Sequence, residues 1–331
     1  MTDDILPWLA HYVEFGAIKG LASDPSNYMP AYNYLLALAA PLTKWLQPVI
    51  VIKLISVSFV PVAAWLTYRI VTHYRGHRRG LLAACLFPLI PTVFLNAAYW
   101  GLPDLIYSTF LLATFCGLIH QRPGLAMAMF GMALSIKLQA VFLSPFLAYL
   151  FLQGRIRWAQ IPIVPAVFLA SLLPAALAGR PWSELLNIYT GQATIFKQLS
   201  MSAPNIYQIL QRFDLVSYET GVAVGIAVAA LVGVALVATP YFLQTRRVCF
   251  ELELALLSLF VIPYVLPKMH DRYFFPADIF SVVLAVVWPR YWPIALGIQM
   301  ASTMAYSNYL FAYPMASHGA VVMTLTLCLY L

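Results

Sequence analysis

Long apolar runs recur along this chain, and they restrict its fold more than any other feature. Hydrophobic residues make up 62% of its 331 positions and charged residues only 9%, with a mean hydropathy of +0.81. Such a chain is not a water-soluble globule. The runs are continuous and rich in Leu, Ala and Pro, whereas a membrane β-barrel would alternate polar and apolar residues over segments of about ten residues. Hydrocarbon leaves no water to satisfy backbone N–H and C=O groups, so continuous runs have to close their own hydrogen bonds as helices. The expected fold is therefore all-α: a polytopic transmembrane helical bundle. About nine crossings are expected, at 46–71, 81–96, 103–119, 159–178, 221–243, 251–267, 274–289, 292–312 and 319–331, together with a re-entrant helical hairpin.

Charge sets the expected orientation. Arg69, Arg75, Arg78, Arg79, Arg122, Arg155, Arg157, Arg246, Arg247 and Arg290 fall in or beside alternate connections. The positive-inside rule makes those connections cytoplasmic. Ten of the twelve acidic residues, all but Glu251 and Glu253, lie in or near the other connections, 1–33, 97–104, 179–220, 268–273 and 313–318. Chemistry is thus expected at the outer face. The formal charge of +7 reads as topology marking rather than as one basic patch, and no nucleic-acid partner is implied. Cys85, Cys116, Cys249 and Cys328 lie in or beside apolar segments without CxxC spacing, as small core residues do. One integral-membrane domain over 1–331 is expected, with 1–45 an outer loop and half-helix and 179–220 a longer outer loop. The polar outward start of the chain predicts a further helix upstream of Met1.

Residues 124–152 lie between two cytoplasmic flanks and must enter the membrane and return. Each arm has about 13 residues, roughly 20 Å of helix, against about 30 Å of hydrocarbon. A helical hairpin with Ser135-Ile-Lys137-Leu-Gln139 at its tip is expected. It would bury Lys137 at depth, where a cation takes a bound phosphate or a carboxylate partner. The alternative is a lysine that snorkels to the interface from a differently placed helix.

Polar groups of several kinds mark the outer segments. Asp3 and Asp4, followed by Trp8, Tyr12 and Glu14, begin a short interfacial helix. The acidic pair suits a general base or a divalent-cation site for Mg²⁺ or Mn²⁺, and equally a solvated terminus. Tyr28, Tyr32 and Tyr34 suit a membrane interface or a sugar-stacking wall. Asn96-Ala-Ala-Tyr-Trp100-Gly-Leu-Pro-Asp104 is a second outer loop, and Asp104 can cap the next helix or take part in catalysis. The segment 179–220 is amphipathic enough to lie on the membrane surface over a site.

Lys268-Met-His270-Asp271-Arg272-Tyr-Phe-Phe275 places four ionisable side chains within five positions, between two apolar segments. Charge at a membrane boundary is costly unless it is paired or used. Two cations with a histidine and an aspartate fit a phosphate-bearing ligand, or else a loop held by its own salt bridges.

At these residues the chain resembles the GT-C superfamily of polytopic glycosyltransferases, particularly bacterial mannosyltransferase-like proteins related to family 87 and to the second GPI mannosyltransferase. Lys268-Met-His-Asp-Arg-Tyr-Phe-Phe-Pro276 is similar to that family's KMHERY-x-xP element, and Ser135-Ile-Lys137-Leu-Gln139 to its LK-x-Q element. Tyr28-Met-Pro30-Ala-Tyr32 and Trp100-Gly-x-x-Asp104 echo its YPPxY and GQxD patterns, although Leu102 stands where that family's Gly-Gln would place polar chemistry. The resemblance implies sugar transfer, with mannose expected, from a polyprenyl-phosphate donor to a lipid or glycan acceptor. The site would face the outside of a bacterial inner membrane. An acidic residue of the first outer loop, Asp3 or Asp4, would be the base, with Asp104 a further catalytic candidate. Lys268, His270 and Arg272, with Lys137, would hold the donor phosphate, and Asp271, Gln139, Tyr28, Tyr32 and Trp100 would line the substrate. No obligatory metal is implied. The rival reading is a lipid or sugar transporter or flippase, which predicts paired repeats and broken helices near mid-membrane.

Overall fold

The computed structural model describes residues 5–242 and 250–331. Asp3 and Asp4, and with them the expected Mg²⁺ or Mn²⁺ site, lie outside the described residues, as do Arg246, Arg247 and Cys249. The described chain is predominantly helical. Each stretch expected to cross the membrane falls on a helix or helix pair. Among the described residues, Pro48–Arg75, Trp158–Leu177 and Tyr218–Phe242 are long and apolar enough to cross a membrane; the pair His77–Leu89 and Pro91–Trp100, bent by 45°, is a broken span or a re-entrant loop. Shorter apolar helices such as Asp104–Ile119 reach about 24 Å at about 1.5 Å per residue.

Local chemistry sets the helix ends. Pro30, Pro48 and Pro123 open their helices at the first turn, where proline's missing N–H costs nothing. Phe94–Trp100 is wound as a π-helix and closes on Gly101 in the left-handed region, where the amides of Gly101 and Leu102 both donate to the Asn96 carbonyl. The helix Pro123–Ile136 stops at Lys137, whose backbone is extended, before the 3-10 turn Leu138–Leu143. The interruption lies where the hairpin tip was expected.

Two compact units emerge. In the first, made of residues 1–66, 93–140 and 158–195, Asp104–Ile119 is buried at every position but Phe110 and Ala113. Small residues set its packing, as expected where lipid supplies no hydrophobic drive between helices. A Cβ on Gly117 would stand 3.2 Å from the Ala126 Cβ, and one on Gly131 would meet the Val164 carbonyl at 2.9 Å and the Val167 Cβ at 3.0 Å. Pro174 interrupts Ile163–Leu177, and beside it the Tyr34 hydroxyl donates to the Ser171 carbonyl at 2.8 Å and accepts from the Ala175 amide at 3.1 Å. Tyr34 thus repairs a hydrogen-bond ladder that proline opens.

In the second unit, residues 67–92, 141–157 and 196–331, the helix Phe275–Val287 is buried at all thirteen positions, as a helix apolar on every side has to be. It carries Asp278, whose carboxylate accepts from Ser302 at 2.7 Å and whose carbonyl accepts from Gln299 at 3.0 Å; Gln299 in turn accepts from the Thr92 hydroxyl at 3.0 Å.

Overpacking tests this account of the first unit. Gly131→Leu should cost about 1–3 kcal/mol and lower the thermal midpoint in detergent. Gly124→Ala, where the added methyl rests 3.8 Å from Ile163, should leave the midpoint unchanged or raise it.

Candidate functional site

Within the first unit, Lys137 pairs with Asp104, both side chains being almost fully buried. Of the two partners open to a buried lysine, the structure supplies the carboxylate. Asp104 occupies the first turn of Asp104–Ile119, so it also complements the helix dipole, and its second oxygen accepts from Asn96 Nδ2 at 3.0 Å. The π-helical turn ending at Gly101 carries Asn96 into this position. The ammonium lies 5.9 Å from the Tyr28 ring centroid and 5.8 Å from that of Tyr107, within cation–π range. The Tyr28 ring is tilted against Trp8 at 5.0 Å and meets Tyr32 edge-on at 5.6 Å. Trp100 is buried at the end of the π-helical turn.

Several polar atoms around this pair are buried with no hydrogen-bond partner among the described residues: the Tyr32 hydroxyl, Asn96 Oδ1 and Gln139 Oε1, two positions beyond Lys137. Buried orphan acceptors are uncommon and call for a donor.

A second polar network in this unit was not anticipated from sequence. Asp24 accepts from the Ser26 amide at 2.9 Å, from Arg180 at 3.0 Å and from Asn33, and both partners of the ion pair are buried. Burial first, and then the Asp24 carboxylate, raises the Tyr12 hydroxyl above the usual phenol range. Gln192 reaches the Asn27 carbonyl, which joins Trp182–Ile195 to the segment after Ile5–Ala22.

Within the second unit, the cluster at 268–272 is held by a device that periodicity does not reveal. Ser200–Met201 pairs in parallel with Met269–His270, with Ser200 opposite Met269 and Met201 opposite His270, and Ser202 bridges to His270. The Lys268 amide donates to Leu199 at 2.7 Å and the Asp271 amide to Met201 at 3.1 Å. Gln211 closes the ladder from outside, accepting from the amides of Leu199 at 2.9 Å and Ser200 at 3.1 Å. Asn205 caps Ile206–Arg212 and donates to the Leu266 carbonyl at 3.2 Å, just past the end of Phe250–Val265.

Lys268, His270 and Arg272 are half-buried while Met269 and Asp271 between them are buried, although only Met269–His270 of the five is strand. Lys268 takes a positive φ of 63°, which costs a non-glycine residue of order 1 kcal/mol or more. Its ammonium lies 5.8 Å from the Tyr218 ring, and His270 packs edge-on to Phe196 at 4.9 Å. Tyr309 lies within electrostatic reach of Asp271 and Arg272. A shallow cleft of about 120 Å³ opens beside Ser202, lined also by Gln208, Arg212 and Asn308.

The sequence-predicted residues thus fall into two groups. Asp104, Lys137, Tyr28 and Tyr32 gather in the first unit, with Gln139 and Trp100 nearby in sequence; Lys268, His270, Asp271 and Arg272 gather in the second. Compared with protein-family models, curated proteins and solved structures, the chain has no significant match.

Lys268→Gly separates backbone strain from charge. Relief of the left-handed φ should hold the thermal midpoint or raise it, by up to about 1 kcal/mol in stability. Lys268→Ala keeps the strain and should lower the midpoint. Equal midpoints in the two variants would show that Lys268 is not strained.

Proposed function

We propose that this chain is an integral-membrane glycosyltransferase of GT-C type, with about nine crossings and a re-entrant hairpin at Lys137. It transfers a sugar, with mannose the first to test, from a polyprenyl-phosphate donor to a lipid or glycan acceptor at the outer face of a bacterial inner membrane. The observation that carries this reading is the half-open face of Lys268, His270 and Arg272, held by a two-residue ladder in an otherwise helical chain and presented on strained backbone. Three cation-capable groups fixed in advance suit a leaving lipid phosphate, whose charge grows as the anomeric C–O bond breaks.

The acceptor hydroxyl attacks the anomeric carbon, the bond to the phosphate oxygen breaks, and the configuration inverts. The hydroxyl proton passes to a carboxylate. In this scheme Asp3 or Asp4 is that base, and no metal is required. Asp104 is tied to Lys137 and Asn96, so its contribution is to hold the buried ion pair of the first unit.

One observation favours a transporter or flippase as the second reading. The helix Pro123–Ile136 is interrupted at Lys137, and the pair His77–Leu89 and Pro91–Trp100 is bent; broken helices are a transporter device.

Purified protein in lipid, given radiolabelled polyprenyl-phosphate mannose and a lipid extract from the source cells, decides between them. Label should pass covalently into a new product with wild type and fall at least about a hundredfold with Lys268→Ala, as for loss of a charge stabilising a transition state. Label crossing the bilayer without a new product would favour transport. Transfer undiminished in Lys268→Ala would remove the cluster from the reaction.

A further inference from the structure

A second cationic cluster lies in the second unit, away from the ladder in sequence and unused by the proposed transfer. The long helix Pro48–Arg75 ends at Arg75, and Gly76, at φ 81°, turns the chain into His77–Leu86. Arg78 and Arg79 therefore stand in the first turn of that helix, at the positive end of its dipole, where cations are disfavoured and anions are held. Phe275–Val287 packs on His77–Leu86. It ends at Trp288 because Pro289 follows, pushing Trp288 into an extended conformation.

At Trp288 two guanidinium groups converge. Arg75 lies 5.1 Å and Arg290 5.8 Å from its ring centroid. Arg290 also donates to Glu253 at 3.2 Å and to the Tyr291 hydroxyl at 2.9 Å, and Tyr291 itself donates to Glu253 at 2.5 Å. Glu253 is thus already engaged by two donors. Trp288 Nε1 and Arg79 Nη1 are buried with no hydrogen-bond partner among the described residues. Buried N–H donors left unmet are costly, and the group that would satisfy an indole N–H together with several guanidinium groups is an anionic oxygen cluster.

We propose that Arg75, Arg79, Trp288 and Arg290 form a binding site for the phosphate headgroup of an anionic phospholipid. A lipid is the source because the cluster lies at the end of a membrane-capable helix, where headgroups sit, and because Leu81 and Leu82 are exposed on the helix that carries Arg79. Phosphate oxygens accept from Trp288 Nε1 and Arg79 Nη1, Arg75 and Arg290 neutralise the charge, and the acyl chains lie against the exposed leucines.

Native mass spectrometry of the full chain in uncharged detergent tests the site, with phosphatidylglycerol titrated against phosphatidylcholine of the same acyl chains. Wild type should retain phosphatidylglycerol at least about fivefold better. Arg75→Gln/Arg79→Gln should abolish the preference, and Trp288→Phe, which keeps the ring and removes the N–H, should weaken it severalfold. Arg122→Gln/Arg157→Gln, matched in charge, should leave it intact. Equal loss in both arginine pairs, or none in Arg75→Gln/Arg79→Gln, would overturn the site. Should that pair fail to fold by circular dichroism, undiminished preference in Trp288→Phe would overturn it instead. Phosphatidylglycerol that stays bound against millimolar inorganic phosphate supports a lipid ligand; its displacement by inorganic phosphate would overturn the assignment to lipid.

Discussion

An ammonium and a carboxylate that meet in an apolar interior set the terms for the first unit. Lys137 and Asp104 are each buried, and neither charge is tolerable there without the other. Several local choices serve that meeting. The helix stops at Lys137 so that its side chain leaves an extended backbone, Asp104 takes the first turn of its own helix, and the π-helical turn brings Asn96 onto the second carboxylate oxygen. Tyr28 and Tyr107 then present ring faces to the ammonium.

The same economy runs through the rest of the described chain: polar groups in apolar surroundings are met from within their own unit. Tyr34 repairs the break at Pro174, Ser302 and Gln299 meet Asp278, and Asn205 caps one helix while taking a carbonyl beside another. Among the described residues, some buried polar atoms stay unmet in both units, the Tyr32 hydroxyl and Asn96 Oδ1 in the first and Trp288 Nε1 and Arg79 Nη1 in the second among them. The last two are N–H donors, which suit the oxygens of a phosphate.

Much of this was legible from hydropathy and charge alone. Helices form wherever apolar residues run continuously, because that signal is local and is repeated at every turn. Lys137 announced itself as a buried cation by being a charge in the middle of an apolar run. Its partner did not, since Asp104 lies 33 residues away and a capping role explained it equally well. Asp24 and Arg180, separated by 156 residues, are a pairing of the same kind. The ladder at Ser200–Met201 was illegible for a different reason: two residues show no period, and hydrogen bonds to Met269–His270 carry no side-chain signature. The segment 179–220, expected as an amphipathic outer loop, contains the helices Trp182–Ile195 and Ile206–Arg212.

A double-mutant cycle on Asp104 and Lys137 goes most directly to the claim that this pair organises the first unit. Thermal midpoints would be compared in detergent for Asp104→Asn, Lys137→Met and the two combined. Each single change leaves a buried charge unmatched and should cost about 3–5 kcal/mol, with the double variant recovering most of the loss. Single changes costing under about 1 kcal/mol and summing in the double variant would contradict the claim, because independent sites add.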